Sequence, residues 1–166
     1  MNRLLVCLLL LISGSTLAHE RGHGHGVSMA DLARLAGDGW SGSLTYLNYG
    51  SDERSTIPVN LQVRTPKGRT MAYAIQYPGE EEYNSKEKLE LSRDGGELNG
   101  DAITDRLETA DGALVIRTLG RGEDDDRPAD IEFVYSIDDE RFSITKNVRF
   151  EGTKDWIKRN EYVFTR

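Results

Sequence analysis

Cysteine and histidine are scarce in this 166-residue chain, which has Cys7 and the histidines His19, His23 and His25. No histidine or cysteine follows His25. A nucleophilic serine or cysteine in the remaining sequence would therefore have no histidine base, and a zinc site of the usual Cys/His type would have no ligands. No spacing among the many acidic residues singles out a pair for glycoside hydrolysis. We therefore name no catalytic residue, expect no cofactor in the folded part and favour a protein that is not an enzyme, with an enzyme that uses two carboxylates as the alternative left open.

The chain also lacks an excess of basic residues and, after residue 12, any long apolar run. The formal net charge is −7, whereas proteins that bind nucleic acid or an anionic membrane surface present a basic face. After residue 12 no apolar run approaches the ~20 residues that a membrane-spanning helix requires. We expect no nucleic-acid partner and no transmembrane segment in the mature protein.

The N-terminus has the layout of a signal peptide. A short positive region, Met1-Asn2-Arg3, precedes an apolar run over residues 4–12 and a small-residue exit that ends at Ala18. We predict that residues 1–18 are cleaved after Ala18 and that the protein is periplasmic or secreted. Cleavage would remove Cys7, so the mature domain would be held together by burial, without disulfides.

The segment over residues 19–27 is rich in histidine and glycine, and it predicts a flexible leader. Cleavage after Ala18 would expose the amine of His19. Together with the imidazoles of His19, His23 and His25, this amine could bind copper, nickel or zinc. The alternative is a leader without a metal-binding role.

The pattern of residues 28–166 predicts one mainly β domain. Ser28 to Gly37 predicts a short helix that is capped by Ser28 and Asp31. From Trp40 onward apolar residues alternate with polar ones, which is typical of strands with one buried face. The clearest strands cover residues 57–63, 71–77, 131–137 and 142–150. Shorter candidates cover residues 44–49, 88–92, 101–108, 113–119 and 156–165.

Short polar turns separate these strands. They contain Gly or Asp residues over 66–68, 94–96, 111–112 and 138–140. Connections this short force neighbouring strands to run antiparallel, and strands with one apolar face must close on themselves or stack as two sheets. We predict a single antiparallel up-and-down barrel of roughly eight to ten strands with a short N-terminal helix. The acidic run over residues 123–126 could bind calcium, but its spacing favours a solvated hairpin loop.

Gly37-Asp38-Gly39-Trp40, between the short helix and the first strand, resembles the strand entry of the calycin group of lipocalins, fatty-acid-binding proteins and nitrobindin-like barrels. The group's pattern has glycine where this chain has Asp38. The resemblance implies that Trp40 packs at the closed end of a lipocalin-like barrel. It also implies that a basic residue of the last strand, Lys158, Arg159 or Arg166, covers Trp40. The histidine that nitrobindin-like barrels use to bind haem is missing.

The resemblance further implies a cavity for a small apolar or amphipathic ligand. Lys146 falls on the inward face and could meet a ligand carboxylate, unless a bulge or the barrel rim directs it elsewhere. Tyr46, Tyr73, Tyr77 and Tyr135 share the inward phase and could line the pocket. The alternative is a structural or protein-interaction module of the cell envelope whose core is filled.

Overall fold

The computed structural model describes residues 26–166, and the predicted signal peptide and the three histidines lie outside this range. A helix, α1 (Met29–Ala33), is followed by ten strands and one 3-10 turn, Glu81–Tyr83. The strands are β1 (Gly37–Asn48), β2 (Glu53–Val63), β3 (Thr70–Gln76), β4 (Ser85–Glu90), β5 (Glu97–Leu98), β6 (Asp101–Glu108), β7 (Leu114–Asp124), β8 (Arg127–Ile137), β9 (Arg141–Phe150) and β10 (Ile157–Thr165).

The strands form one antiparallel sheet in the order β4-β3-β2-β1-β10-β9-β8-β7-β6-β5. A bridge between Leu91 and Leu98 joins the two edges of this sheet. Each strand therefore lies next to its neighbours in sequence, and the sheet is a nearly closed barrel. The prediction of an all-β, up-and-down, antiparallel barrel with one short helix is confirmed. Closure suits this sequence because it buries the apolar inner face of every strand.

The helix begins as the sequence predicts but ends earlier. The Ser28 hydroxyl accepts from the Asp31 backbone N–H, and the Asp31 carboxylate accepts from the Ser28 backbone N–H. After Ala33 the backbone amides of Leu35 and Ala36 bond three residues back. This tighter winding ends the helix before Gly37.

One end of the barrel, which we call the helix end, lies beneath α1 and is filled. Trp40 is 1% exposed, and its indole N–H donates to the Leu35 carbonyl at 3.0 Å. From Trp40 an aromatic column continues through Phe142, Phe164 and Tyr162, with ring centroids 6.0–6.4 Å apart. A void of about 10 Å³ lies between this part of the core and the side chains of Tyr73 and Ile144, and it is too small for an organic ligand.

Arg166 is the basic residue that covers Trp40. Its guanidinium lies 4.2 Å from the centre of the indole ring and donates to the backbone carbonyls of Arg34, Ala36 and Asp139. Arg159, another of the three candidates from the sequence, does not contact Trp40. A bulge between Lys158 and Asn160 interrupts β10 and places Arg159 at the opposite end of the barrel, over the ring of Tyr49.

The β7–β8 hairpin corrects the expectation of a solvated loop over residues 123–126. Only Asp125 and Asp126 form the turn, both with positive φ, as a two-residue hairpin of this kind requires. Asp124 is the last residue of β7, and its side chain is 10% exposed. The acidic run thus contributes one residue to the interior of the barrel.

Candidate functional site: a pocket at the far end of the barrel

The end of the barrel opposite α1, which we call the far end, is less completely buried than the helix end. β1 ends and β2 begins there. Inward-facing side chains that are only half-buried line it: Tyr46, Ile57, Tyr73, Tyr77, Ile103, Phe133, Ile144 and Tyr162. Each of these side chains packs against the core on one side and keeps part of its surface exposed. We call this half-buried, aromatic-lined surface the far-end pocket.

A gap in the barrel wall adjoins the far-end pocket. β5 has only two residues, so β4 over residues 85–89 pairs with β3 alone. On the other side of the gap, β7 over residues 120–124 pairs only with β8. A cleft of about 580 Å³ lies between the end of β4 and the β5–β6 turn, and Arg69, Glu87, Lys88, Glu90 and Asn99 contribute to its lining.

The predicted tyrosines Tyr46, Tyr73, Tyr77 and Tyr135 all lie on the inner face, as the alternation of their strands requires. The structure adds Tyr162, whose hydroxyl lies 2.9 Å from that of Tyr77. The sequence did not single out Tyr162, because Val163 beside it is apolar too and the bulge in β10 shifts the phase.

Burial keeps the central phenols protonated. It raises the pKa of Tyr73 to about 12, with smaller contributions from Glu87 and Tyr77. Burial also raises the pKa of Tyr135, to which Tyr73 and Asp101 contribute, and that of Tyr162. Neutral phenols can donate as well as accept hydrogen bonds, so the pocket combines apolar surface with several polar contact points.

Lys146 faces inward near the rim of the far end and already has a protein partner. Its Nζ lies 2.6 Å from Asp124 Oδ1, and the Tyr49 hydroxyl donates to Asp124 Oδ2 at 2.6 Å. Arg159 Nε lies 3.5 Å from the same Oδ2. We call these four residues the Asp124 cluster. A ligand carboxylate approaching Lys146 would have to compete with Asp124, which weakens the role that the sequence predicted for this lysine.

The electrostatics of the Asp124 cluster are those of a stabilising network. Burial raises the pKa of Asp124, but the hydrogen bonds from Lys146 and Tyr49 and the attraction of Arg159 outweigh it, so this pKa lies below its ordinary value. The Lys146 side chain is 19% exposed. Both partners are therefore largely withdrawn from water, and each needs the other.

A small second core seals the rim beside the Asp124 cluster. It consists of Ala129, Val148 and Phe150, with Ile131 and Ile157 packed against it. The guanidinium of Arg127 lies 3.6 Å from the centre of the Phe150 ring. The second core thus covers the rim beside the Asp124 cluster, whereas Phe133, Ile144 and Tyr162 of the same strands belong to the far-end pocket and stay half-buried.

Two carboxylates lie on the inner face beside the gap, half-buried Asp101 and exposed Glu87, and neither was predicted. Asp101 lies on the same inner face as Leu98, and its side chain packs against Gly120. A Cβ atom added at Gly120 would come within 2.0 Å of Asp101 Oδ1. Glu87 is in register with Tyr73 and so lies on the same inner face, at the edge of the gap. In β4 nearly every residue is polar, and a bulge interrupts β6 after Ile103. Neither strand therefore shows a readable alternation in sequence.

The described residues contain neither a cluster of metal-binding side chains nor a helix that could span a membrane. Within residues 26–166 no three His, Cys, Asp or Glu side chains lie close enough together to hold a metal ion. In the same range no helix has the length and apolar character needed to cross a membrane.

Comparisons with known proteins place the chain in no family. No protein-family model matches the sequence, and no curated protein matches it. The fold and the geometry of the far-end pocket are therefore what bears on function.

Proposed function

We propose that this protein is a calycin-like carrier or sensor that binds a small amphipathic molecule in the far-end pocket. The observation that carries the proposal is the contrast in burial along one inner wall. Inward residues such as Trp40 and Phe164 at the helix end are fully buried, whereas Phe133, Ile144 and Tyr77 at the far end remain half-exposed. Exposed apolar surface in a concave site of a small domain is typical of ligand binding.

The chemistry of the lining defines what such a ligand needs. Ile57, Ile103, Phe133 and Ile144 offer apolar contact, and the tyrosine hydroxyls offer hydrogen bonds to a polar group. Because side chains fill the helix end, the ligand can occupy only the far half of the barrel. A small molecule with one apolar and one polar part fits this arrangement better than a long chain that needs the whole barrel.

A structural or protein-interaction module with a filled core is the second candidate. The core void of only about 10 Å³ favours it, because Tyr73 and Ile144 of the far-end pocket line that void together with residues of the helix end. This candidate predicts that the far end takes up no small molecule, so a binding measurement separates the two.

The test is a titration with Nile red, a neutral dye that fluoresces in apolar surroundings. Ser85 is inward-facing and half-buried beside the gap, in register with Ile75, and Lys86 is the next residue and exposed on the outer face. We expect saturable dye binding that Ser85→Trp weakens by at least about tenfold, because the indole occupies the pocket. The matched control Lys86→Trp should bind dye as the unmodified protein does. Absence of dye binding, or equal binding by both variants, would contradict the proposal.

We also propose that the protein is exported, on the strength of the sequence over residues 1–18. The mass of the mature protein recovered from the periplasm or culture medium should correspond to a chain that begins at His19. Recovery of the chain from Met1 in the cytoplasm would contradict this.

A further inference from the structure

The charges at the far end are separated onto opposite sides of the barrel. Lys146 and Arg159 lie on β9 and β10, where Asp124 partners them. Glu87 and Asp101 lie on β4 and β6, which flank the gap in the wall. In the sheet order β9 and β10 are several strands away from β4 and β6 in either direction. The inner face beside the gap therefore carries two carboxylates, while Arg69 and Lys88 lie at the outer cleft beside Glu87 and Lys88 pairs with Glu90.

Asp101 is a half-buried carboxylate that lacks a cation. Within residues 26–166 no Lys or Arg nitrogen comes within salt-bridge distance of it, whereas Asp124, Asp130 and Asp31 each have such a partner. Gly120 provides the space for its side chain. Burial raises the pKa of Asp101, with no opposing contact. An inward carboxylate without a partner is unfavourable for the empty protein, and a cationic ligand would relieve that.

Glu87 belongs to the same group of side chains. Its charge contributes to the raised pKa of both Tyr73 and Tyr162, and the charge of Asp101 contributes to that of Tyr135. The two carboxylates are thus linked through neighbouring tyrosine rings. Aromatic faces attract cations, so carboxylates and rings together suit a single positive group.

Thr118 provides a second, independent sign of an occupant. It is fully buried on the inner face of β7, two residues before Gly120 and in register with Ile103 and Phe133. Its hydroxyl has no hydrogen-bond partner among the described residues. Buried hydroxyls are nearly always hydrogen-bonded. An unpartnered one on the inner face of β7 beside Asp101 is therefore a polar position that a ligand group entering this part of the barrel would satisfy.

We propose that the ligand of the far-end pocket is an organic cation, an amphipathic amine or ammonium compound. Its charged group would lie between Asp101 and Glu87 and against the tyrosine rings, with its apolar part towards Phe133 and Ile103. A polar atom next to the charged group would reach the Thr118 hydroxyl. This inference rests on the proposed function and narrows it, because the inward carboxylates of Asp101 and Glu87 would repel a ligand carboxylate.

The test compares three probes with the same eight-carbon tail: octylammonium, 1-octanol and octanoate. Isothermal titration of the mature protein at neutral pH should show octylammonium binding at least about tenfold more tightly than 1-octanol, and octanoate most weakly. Asp101→Asn and Glu87→Gln should each weaken octylammonium binding by about tenfold and leave octanol binding unchanged.

A control variant makes the same charge change on the outer face of β6. Asp105→Asn lies opposite Arg117, and it should not change octylammonium binding by more than about twofold. Equal binding of octylammonium and octanol would overturn the cation assignment and leave the proposed function intact. Failure of all three probes to bind would overturn both. Loss of octylammonium binding by Asp105→Asn alone would overturn the cation assignment.

Discussion

The two ends of this barrel use the same inner wall for different purposes. At the helix end, Trp40 and Phe164 are fully buried, and Arg166 closes the end over the indole. At the far end, aromatic residues in the same inward phase remain half-exposed, and Asp101 lies among them without a cationic partner within residues 26–166. The helix end provides stability, and the far end gives up some stability to stay open. Substitutions at the two ends should therefore have separable effects.

Truncating a phenylalanine at each end should produce the largest difference. Phe164→Ala at the helix end removes a fully buried ring, and we expect it to lower the free energy of unfolding by about 3–5 kcal/mol. Phe133→Ala at the far end removes a ring that water already reaches, and we expect about half that loss. Urea denaturation of both variants measures the difference. Equal losses would show that the far end is packed as tightly as the helix end.

Within the far end, the Asp124 cluster should behave as part of the stable frame. Asp124→Asn leaves Lys146 without its anion, and we expect a loss of about 2–4 kcal/mol, because the lysine is largely withdrawn from water. Asp125→Asn is the matched control, since this residue is exposed and asparagine tolerates the positive φ of the turn. The control should change the free energy of unfolding by less than about 0.5 kcal/mol. A small effect of both variants would mean that Asp124 and Lys146 form no effective pair.

The pH dependence of stability should distinguish Asp124 from Asp101 by its sign. The folded-state pKa of Asp124 lies below its ordinary value of 3.8, so its contribution is present above that value and is lost as the pH falls through the folded pKa. The folded-state pKa of Asp101 is raised. Its contribution is therefore greatest below the ordinary value and is lost as the pH rises through the folded pKa.

The free energy of unfolding, measured between about pH 3 and pH 7, reports both effects. Asp124→Asn should reduce the loss of stability on the acid side. Asp101→Asn should reduce the loss that occurs as the pH rises from acid towards neutral. Identical pH profiles for the two variants would contradict the distinction.

The smallest effect on stability is expected for Asp101→Asn at neutral pH. Removing a half-buried charge that has no partner should leave stability unchanged or raise it by up to about 1 kcal/mol, even as cation binding falls. A loss of more than about 1 kcal/mol would indicate that Asp101 supports the folded structure, and would remove the contrast with Asp124.

Much of this architecture could be predicted from local sequence rules. The alternation around Val59, Met71, Tyr135 and Phe142 gave the inner face, because a half-buried strand must alternate. The turn residues gave the antiparallel order. The cap at Ser28 gave the start of the helix. Each of these rests on contacts between residues that are near one another in sequence.

The polar part of the pocket could not be predicted, for a physical reason. Glu87 lies in β4, where almost no residue is apolar, so the sequence does not show which residues of β4 face inward. Bulges displace the phase in β6 and β10 and so conceal Asp101 and the position of Arg159. Lys146 is not free to bind a ligand because it pairs with Asp124, which lies twenty-two residues earlier in the sequence. Only the folded barrel brings these groups together.

The most direct test of the account is to locate a neutral ligand by NMR. Tyrosine-ring resonances of the mature protein would be followed as 1-octanol is added, with Trp40 at the helix end and the exposed Tyr83 as internal controls. The account predicts shifts at Tyr73, Tyr77, Tyr135 and Tyr162 that saturate together, while Tyr83 and the indole of Trp40 stay unchanged. Shifts confined to Tyr83, or to Trp40, would contradict the claim that the far end of the barrel is the binding site.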